Sequence, residues 1–199
     1  MNQRTDHEWM VSVAQGNLAA MSPIYENRHR TLFRFFFRLT GRQTASEDLV
    51  HEVFLRMIRY RHTYESKPAE SKSGAASRVA DSFESWMYRI ARNALADHAR
   101  KHRMETAVGE RELEEVPSSR PTPFDTTSKR QNLALLYRAL RTLPEDKREL
   151  LVLARFEGLA YEQIGRILGC EANAVKGRVF RAMKELGEIY MDLQKEKAS

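Results

Sequence analysis

The sequence predicts an all-α chain made of two small helical domains joined by an acidic linker. Apolar residues recur at helical spacing almost throughout, and few stretches alternate as a strand would. From 105 to 128 that periodicity stops: Glu110, Glu112, Glu114, Glu115 and Asp125 alternate with Pro117, Pro121 and Pro123, and few large apolar residues remain. The length of 199 residues suits two small domains as well as one of medium size. The expected division is 1–104, 105–128 and 129–199.

In order along the chain, a short helix is expected from Asp6 to Ala14, broken by Gly16 and Asn17. A longer one runs through Tyr25, Leu32 and Phe36 to Leu39, closed by Thr40-Gly41. Thr44-Ala45-Ser46-Glu47 reads as a capping box opening a third helix that reaches about Tyr60. The stretch from Tyr64 to Phe83 is rich in Ser, Ala, Lys and Glu without periodicity and reads as a loop. Asp81 then caps a fourth helix from Phe83 to about Arg103. The linker follows as an extended tether. Beyond it, helices are expected over Lys129 to Leu140, Pro144 to Phe156, Tyr161 to Leu168 and Ala172 to Tyr190.

Composition narrows the functional classes. Hydrophobic residues make up 42% and charged residues 30%, an ordinary soluble balance. The longest apolar run, Leu32 to Phe37, contains Arg34 and is far too short to span a bilayer. The polar start Met1-Asn2-Gln3-Arg4-Thr5-Asp6 lacks the apolar core of a signal peptide. With a single cysteine, Cys170, no intrachain disulfide forms, which fits a reducing cytoplasm. A net charge of +6 permits nucleic-acid binding without requiring it, so the placement of the charge decides.

In the C-terminal part, Leu159 to Cys170 followed by Glu171 to Leu186 has the layout of a helix-turn-helix, with Gly169 at the turn. Val175, Val179, Ala182 and Leu186 share one face of the second helix. Asn173, Lys176, Gly177, Phe180, Arg181 and Lys184 share the opposite face, which offers amide and cationic groups to a major groove. Periodicity alone leaves open an ordinary amphipathic surface helix with solvated lysines.

The N-terminal part carries two faces of different chemistry. On the third helix Val50, Val53, Phe54 and Met57 form the apolar stripe, while Asp48, Glu52, Leu55 and Arg59, with Arg56 beside them, make an acid-rich ridge around an exposed leucine. Such acid is out of place on a DNA-facing helix and suits a protein partner, although a solvated charged face has the same pattern. On the fourth helix Phe83, Trp86, Met87, Ile90 and Ala94 face inward. Arg89, Asn93, Ala96 and Arg100 run along a neighbouring ridge, with Tyr88 close by. Cations for phosphate, an amide for a base edge and a small residue that leaves room are what an unpaired strand requires.

These motifs resemble one known family. Leu143-Pro144-Glu145 through Leu151-Val152-Leu153, Glu157 through Ile164, and Ala174 through Arg178 with Phe180-Arg181-Ala182 are similar to region 4 of the sigma-70 family, nearest its extracytoplasmic-function (ECF) subgroup. The resemblance implies reading of the minus-thirty-five promoter element and contact with the polymerase flap, with DNA contacts at Lys176, Gly177, Phe180 and Arg181. Glu47 through Arg56 resembles region 2.2, which implies that this surface grips the clamp helices of the core polymerase. Phe83 through Asn93 resembles regions 2.3 and 2.4. That implies capture of a base flipped from the minus-ten element, with Asn93 in the pocket and Arg89 and Arg100 on the strand. The implied function is binding of core polymerase, promoter recognition, strand opening and transcription initiation, with an anti-sigma factor as a further partner. The linker would thread the polymerase cleft.

The chain departs from the family pattern at several points. His51 stands where glutamine is usual, Ala160 where a capping serine is usual, and Ala174 and Gly177 where threonine and serine are usual. Residues 65–82 intervene where the family crosses in a few residues. The insertion and the Ala174 and Gly177 exchanges fall where promoter choice would be written, while His51 lies on the surface that would meet the clamp.

No enzyme or cofactor is expected. His98 and His102 sit four apart on a helix, but Arg100, Lys101 and Arg103 around them repel a cation. No phosphate-binding glycine loop or nucleophile–base arrangement is present in the sequence. Two other readings stay open: a dimeric helix-turn-helix regulator on operator DNA, which leaves the Glu47–Arg59 ridge unexplained, and a sigma-like module that only binds protein.

Overall fold

Thr5 opens the first helix with a reciprocal cap. Its hydroxyl accepts the Glu8 N–H at 3.3 Å, and its own N–H donates to the Glu8 carboxylate at 2.6 Å. The computed structural model describes residues 4–64, 75–105 and 127–198. Helix α1 (Asp6–Ala14) leads through a 3-10 turn (Leu18–Ala20) into α2 (Met21–Thr40), which buries Ile24, Leu32, Phe35 and Phe36. Gly41 ends α2 at a φ of 70°, and a Cβ there would stand 3.0 Å from the Arg141 side chain. Its left-handed conformation favours glycine, whereas the flexible Arg141 side chain has room to shift.

The expected capping box at Thr44 does not form. Helix α3 (Gln43–Arg59) starts earlier, and Ser46 lies fully buried inside the first turn, its hydroxyl donating to the Arg42 carbonyl at 2.6 Å. The stripe of Val50, Val53, Phe54 and Met57 is buried as its spacing requires. The fourth helix is a second correction. Helix α4 (Ala75–Glu105) already contains Asp81, so the loop expected up to Phe83 is helical from Ala75 onward. Its Ala, Ser and Arg content is compatible with a helix without an apolar period, and propensity prevails there. The remaining insertion (65–74) and most of the acidic linker (106–126) lie outside the described residues.

The C-terminal helices are α5 (Thr127–Thr142), α6 (Glu145–Leu151), which runs into a π-helical turn (Val152–Phe156), α7 (Tyr161–Leu168) and α8 (Ala172–Ala198), which continues past Tyr190. Among the described residues there is no strand, and no helix is long and apolar enough to cross a membrane. Nor do they hold a group of three His, Cys, Asp or Glu side chains able to bind a metal.

The two helical sets pack directly on one another, which no sequence pattern announces. Helix α2 meets α5, α6 and the π-helical turn, and α4 meets α7. Arg148 on α6 donates to the Leu39 carbonyl at the end of α2 at 2.7 Å, and to the Arg141 and Leu143 carbonyls at 2.8 and 2.9 Å. This guanidinium satisfies carbonyls that helix ends leave open. It also fastens the start of the C-terminal set to the N-terminal one.

Candidate nucleic-acid and polymerase interfaces

The packing of α3 against α4 leaves a cleft of about 340 Å³ lined by Arg56, Tyr60, Ile90, Asn93, Ala96, Asp97 and Arg100. Arg89, Asn93, Ala96 and Arg100 are all exposed along α4, while Ile90 is buried beneath them. The ridge read from spacing therefore exists, and it borders a concavity. Ala96 contributes no side chain beyond a methyl, so the rim stays open beside the Asn93 amide.

Two residues that the sequence reading missed complete this cleft. Tyr60, just past the end of α3, is 43% exposed and presents a ring at the mouth. Asp97 accepts from Arg56 at 2.8 Å and from Arg100. Those bonds, the one from Arg56 foremost, hold the Asp97 carboxyl below the usual aspartate range. Asp97 sits four residues after Asn93 on the same ridge. An acid beside the ridge cations Arg89 and Arg100 was the available signal.

The acid ridge of α3 is present as expected at four of its five positions. Asp48, Leu55 and Arg59 are exposed, Leu55 to 60%, and Glu52 is half-buried. Arg56 departs: its Nε meets Glu52 at 2.6 Å while its Nη1 turns to Asp97 on α4. Its guanidinium lines the cleft and does not stand free on the ridge.

Tyr88 departs further from the expected strand surface. It is 2% exposed, packs edge-on against Phe35, and donates to Glu157 at 2.7 Å. Helix α4 turns it toward the C-terminal helices, away from the ridge of Arg89 and Asn93.

The helix-turn-helix folds around Gly165 and Gly169. The second takes the left-handed conformation, φ 68°, and the first lets the chain return so closely that a Cβ would lie 2.5 Å from the Cys170 carbonyl oxygen. On α8, Val175, Val179, Ala182 and Leu186 are buried. Asn173, Lys176, Phe180, Arg181 and Lys184 are exposed, Phe180 to 73%, and Gly177 is half-buried among them. A Cβ at Gly177 would meet only Arg181 Nη1 at 3.8 Å, so packing does not demand this glycine. Cys170 is half-buried, its sulfur 4.0 Å from an Arg178 guanidinium nitrogen.

Two family descriptions match the chain: Sigma-70 region 2 over residues 24–73 and Sigma-70, region 4 over residues 133–186. Among curated proteins, the ECF RNA polymerase sigma factor SigE of Mycolicibacterium smegmatis is 30% identical over 94% of this chain and 72% of its own length. The RNA polymerase sigma factor CarQ of Myxococcus xanthus is 31% identical over 82% of this chain and 85% of its own. The chain belongs to the sigma-70 family of RNA polymerase sigma factors, in its ECF group, and is a transcription initiation factor. The fold agrees with the sigma factor RpoE of Bartonella quintana, solved with the anti-sigma factor NepR: TM-score 0.63 at 23% identity, covering 85% of this chain and 95% of that one. It also agrees with CnrH, solved with the cytosolic domain of CnrY: TM-score 0.65 at 20% identity, covering 92% and 96%.

Proposed function

We propose that residues 1–104 form the polymerase-docking and strand-opening domain, 129–199 the upstream duplex reader, and 105–128 the tether between them. The α3 ridge of Asp48, Glu52, Leu55 and Arg59 binds the clamp helices of core polymerase. The α4 ridge of Arg89, Asn93, Ala96 and Arg100 holds the melted minus-ten strand, with Asn93 bonding a base drawn into the α3–α4 cleft. Asn173, Lys176, Gly177, Phe180, Arg181 and Lys184 read the minus-thirty-five duplex. The chain works in the cytoplasm beside polymerase and catalyses no step itself. Opening is driven by capture of unstacked bases, each aromatic or amide contact offsetting part of the unstacking cost of a few kcal/mol. An anti-sigma factor is proposed as a further partner, because the similar sigma factor RpoE was solved with one.

The observation that carries the reading is the cleft itself: Asn93, Ala96 and Arg100 line one concavity open to solvent. The test is Asn93→Ala in runoff transcription with core polymerase. Promoter opening is expected to fall more than initial duplex binding, and equal loss in both removes the base-pocket assignment. Charge reversal at Asp48 and Glu52 is expected to abolish co-purification with core polymerase. Unchanged retention removes the clamp assignment.

A further inference from the structure

Tyr60 is held from behind by a chain of hydrogen bonds and ring contacts that ends on α1. It caps the end of α3 and is followed by a 3-10 turn (Arg61–Thr63). Its N–H donates to the Arg56 carbonyl at 2.8 Å, while its own carbonyl accepts the Thr63 N–H and the Thr63 hydroxyl, each at 2.8 Å. The Thr63 hydroxyl in turn accepts from the Trp86 indole on α4 at 3.4 Å. Tyr64 follows, buried, its ring edge-on to Phe83 and Trp86 with centroids 6.4 and 5.1 Å away. The Tyr64 hydroxyl reaches His7 on α1 and shares a hydrogen bond with its Nδ1 at 2.5 Å.

His7 is anchored in its turn. Beside it Asp6 accepts from Arg28 on α2 at 2.5 Å and from Asn27 at 2.9 Å. Arg28 spans on to Glu84 of α4 at 3.1 Å and lies over the Phe83 ring. Burial holds the His7 imidazole below the ordinary histidine range, with Glu8 opposing in part, so the ring meets Tyr64 in its neutral form at neutral pH and above. At the other end of the chain, Tyr60 supplies the only aromatic ring among the described residues that line the α3–α4 cleft, whose α4 wall offers the Asn93 amide and the space at Ala96. An aromatic face captures an unstacked base best when the ring is already in place, since ordering it on binding would offset part of the stacking gain.

We propose that Tyr60 is the ring on which the captured minus-ten base stacks, and that His7 and Tyr64 are positioning residues that hold Tyr60 for it. Helix α1 thereby takes part in strand opening without touching DNA. This inference rests on the assignment of the α3–α4 cleft to the minus-ten strand.

The test uses the full chain with core polymerase on a promoter located by runoff sequencing. Each minus-ten nucleotide of the nontemplate strand is replaced in turn by an abasic site, and heparin-resistant open complexes are measured. Tyr60→Ala is expected to lower opening about tenfold, the scale of one stacked base, and to have no further effect when the captured position is abasic. His7→Ala and Tyr64→Phe are each expected to lower it about threefold, the scale of one hydrogen bond, and to add nothing in the Tyr60→Ala background. His7→Asn, which keeps a hydrogen-bonding atom at the Nδ1 position, is expected to restore opening. A Tyr60→Ala loss that persists at every abasic position overturns the stacking role. A His7→Ala loss that adds to Tyr60→Ala overturns the positioning role, since His7 would then act through stability alone, and so does failure of His7→Asn to restore opening. Should His7→Ala fail to fold by circular dichroism, Tyr64→Phe carries the test, because it keeps the ring packing and removes only the hydroxyl. Asn93→Ala, run on the same templates, checks the cleft assignment separately. An abasic position that couples to Asn93 but not to Tyr60 removes this inference alone, whereas no position coupled to Asn93 removes the cleft assignment itself.

Discussion

The Tyr88 hydroxyl donates to the Glu157 carboxylate at 2.7 Å across the contact between the N-terminal and C-terminal helices. Burial pushes the Glu157 carboxyl above the ordinary glutamate range, outweighing the Tyr88 bond and the nearby charges of Arg38 and Arg34, with Glu84 adding to the rise. Burial likewise raises the Tyr88 phenol, which stays neutral throughout the working range. A carboxyl whose value is raised by burial favours the packed state when protonated. Its contribution is fully present below the free value and is lost as pH rises through the raised one. The packing of the two helical sets is therefore expected to be more stable near pH ~5 than near pH ~7.5, and Glu157→Gln to keep the sets packed while flattening that dependence. Scattering dimensions of both proteins across the window check it. An equal pH response in the variant assigns the effect to another group.

Gly165 is expected to be the least replaceable glycine of the helix-turn-helix. Its φ is not unusual, yet a Cβ there would meet the Cys170 carbonyl oxygen at 2.5 Å, and backbone cannot step aside as a flexible side chain can. The Gly165 carbonyl also accepts the Cys170 N–H at 2.9 Å, so displacing the turn sacrifices that bond. Gly165→Ala should cost about 2–3 kcal/mol of stability, the upper part of the roughly 1–3 kcal/mol usual for overpacking. Denaturant unfolding measures it. A change below about 0.5 kcal/mol would mean that the turn relaxes freely.

Ala160 leaves half a cap unmade. The Gln163 side chain already accepts the Ala160 N–H at 2.7 Å, but the alanine methyl has no oxygen to accept the N–H of the first turn in return. Ala160 is exposed and extended (φ −64°, ψ 151°), the conformation an N-cap serine takes. Ala160→Ser should complete the box and stabilise the chain by roughly 0.5–1 kcal/mol. A higher melting temperature with unchanged helical content is the expected reading.

These cases show where sequence and structure part. Helical period read the stripes of α3 and α8 correctly because burial of an apolar face is a local rule, and it set the exposed ridges opposite them. The resemblance supplied the family, which periodicity alone left open against an ordinary amphipathic helix. What escaped depends on chain segments far apart in sequence. Tyr88 lies four residues from Arg92 and five from Asn93, yet Glu157 buries it. Arg56 leaves the α3 ridge because Asp97 waits on α4. The capping box read at Thr44 does not form, since the chain turns helical at Gln43, and the Ser46 hydroxyl bonds the Arg42 carbonyl. In each case a long-range or alternative local partner took a polar group whose type, but not whose direction, the sequence shows.

Asp97 offers the sharpest contrast between two roles for one acid. It draws Arg56 and Arg100 together at the rim of the cleft, and its side chain remains 46% exposed. As a brake, it neutralises cations that would otherwise hold phosphate and repels the strand. As a brace, it fixes both guanidiniums in a useful direction. Geometry favours the brake: the Arg100 side chain is 75% exposed and gains little order from one acid, while Arg56 keeps its Glu52 partner at 2.6 Å without Asp97. Removing one charge at contact range in a water-like medium is worth about 1 kcal/mol. Asp97→Asn should therefore tighten single-stranded oligonucleotide binding about fivefold at low salt, with the gain shrinking as salt screens it. Anisotropy titrations over a salt series measure this directly. Weaker binding in the variant would make Asp97 a positioning residue for the two arginines, and Arg56→Lys should then show the same loss.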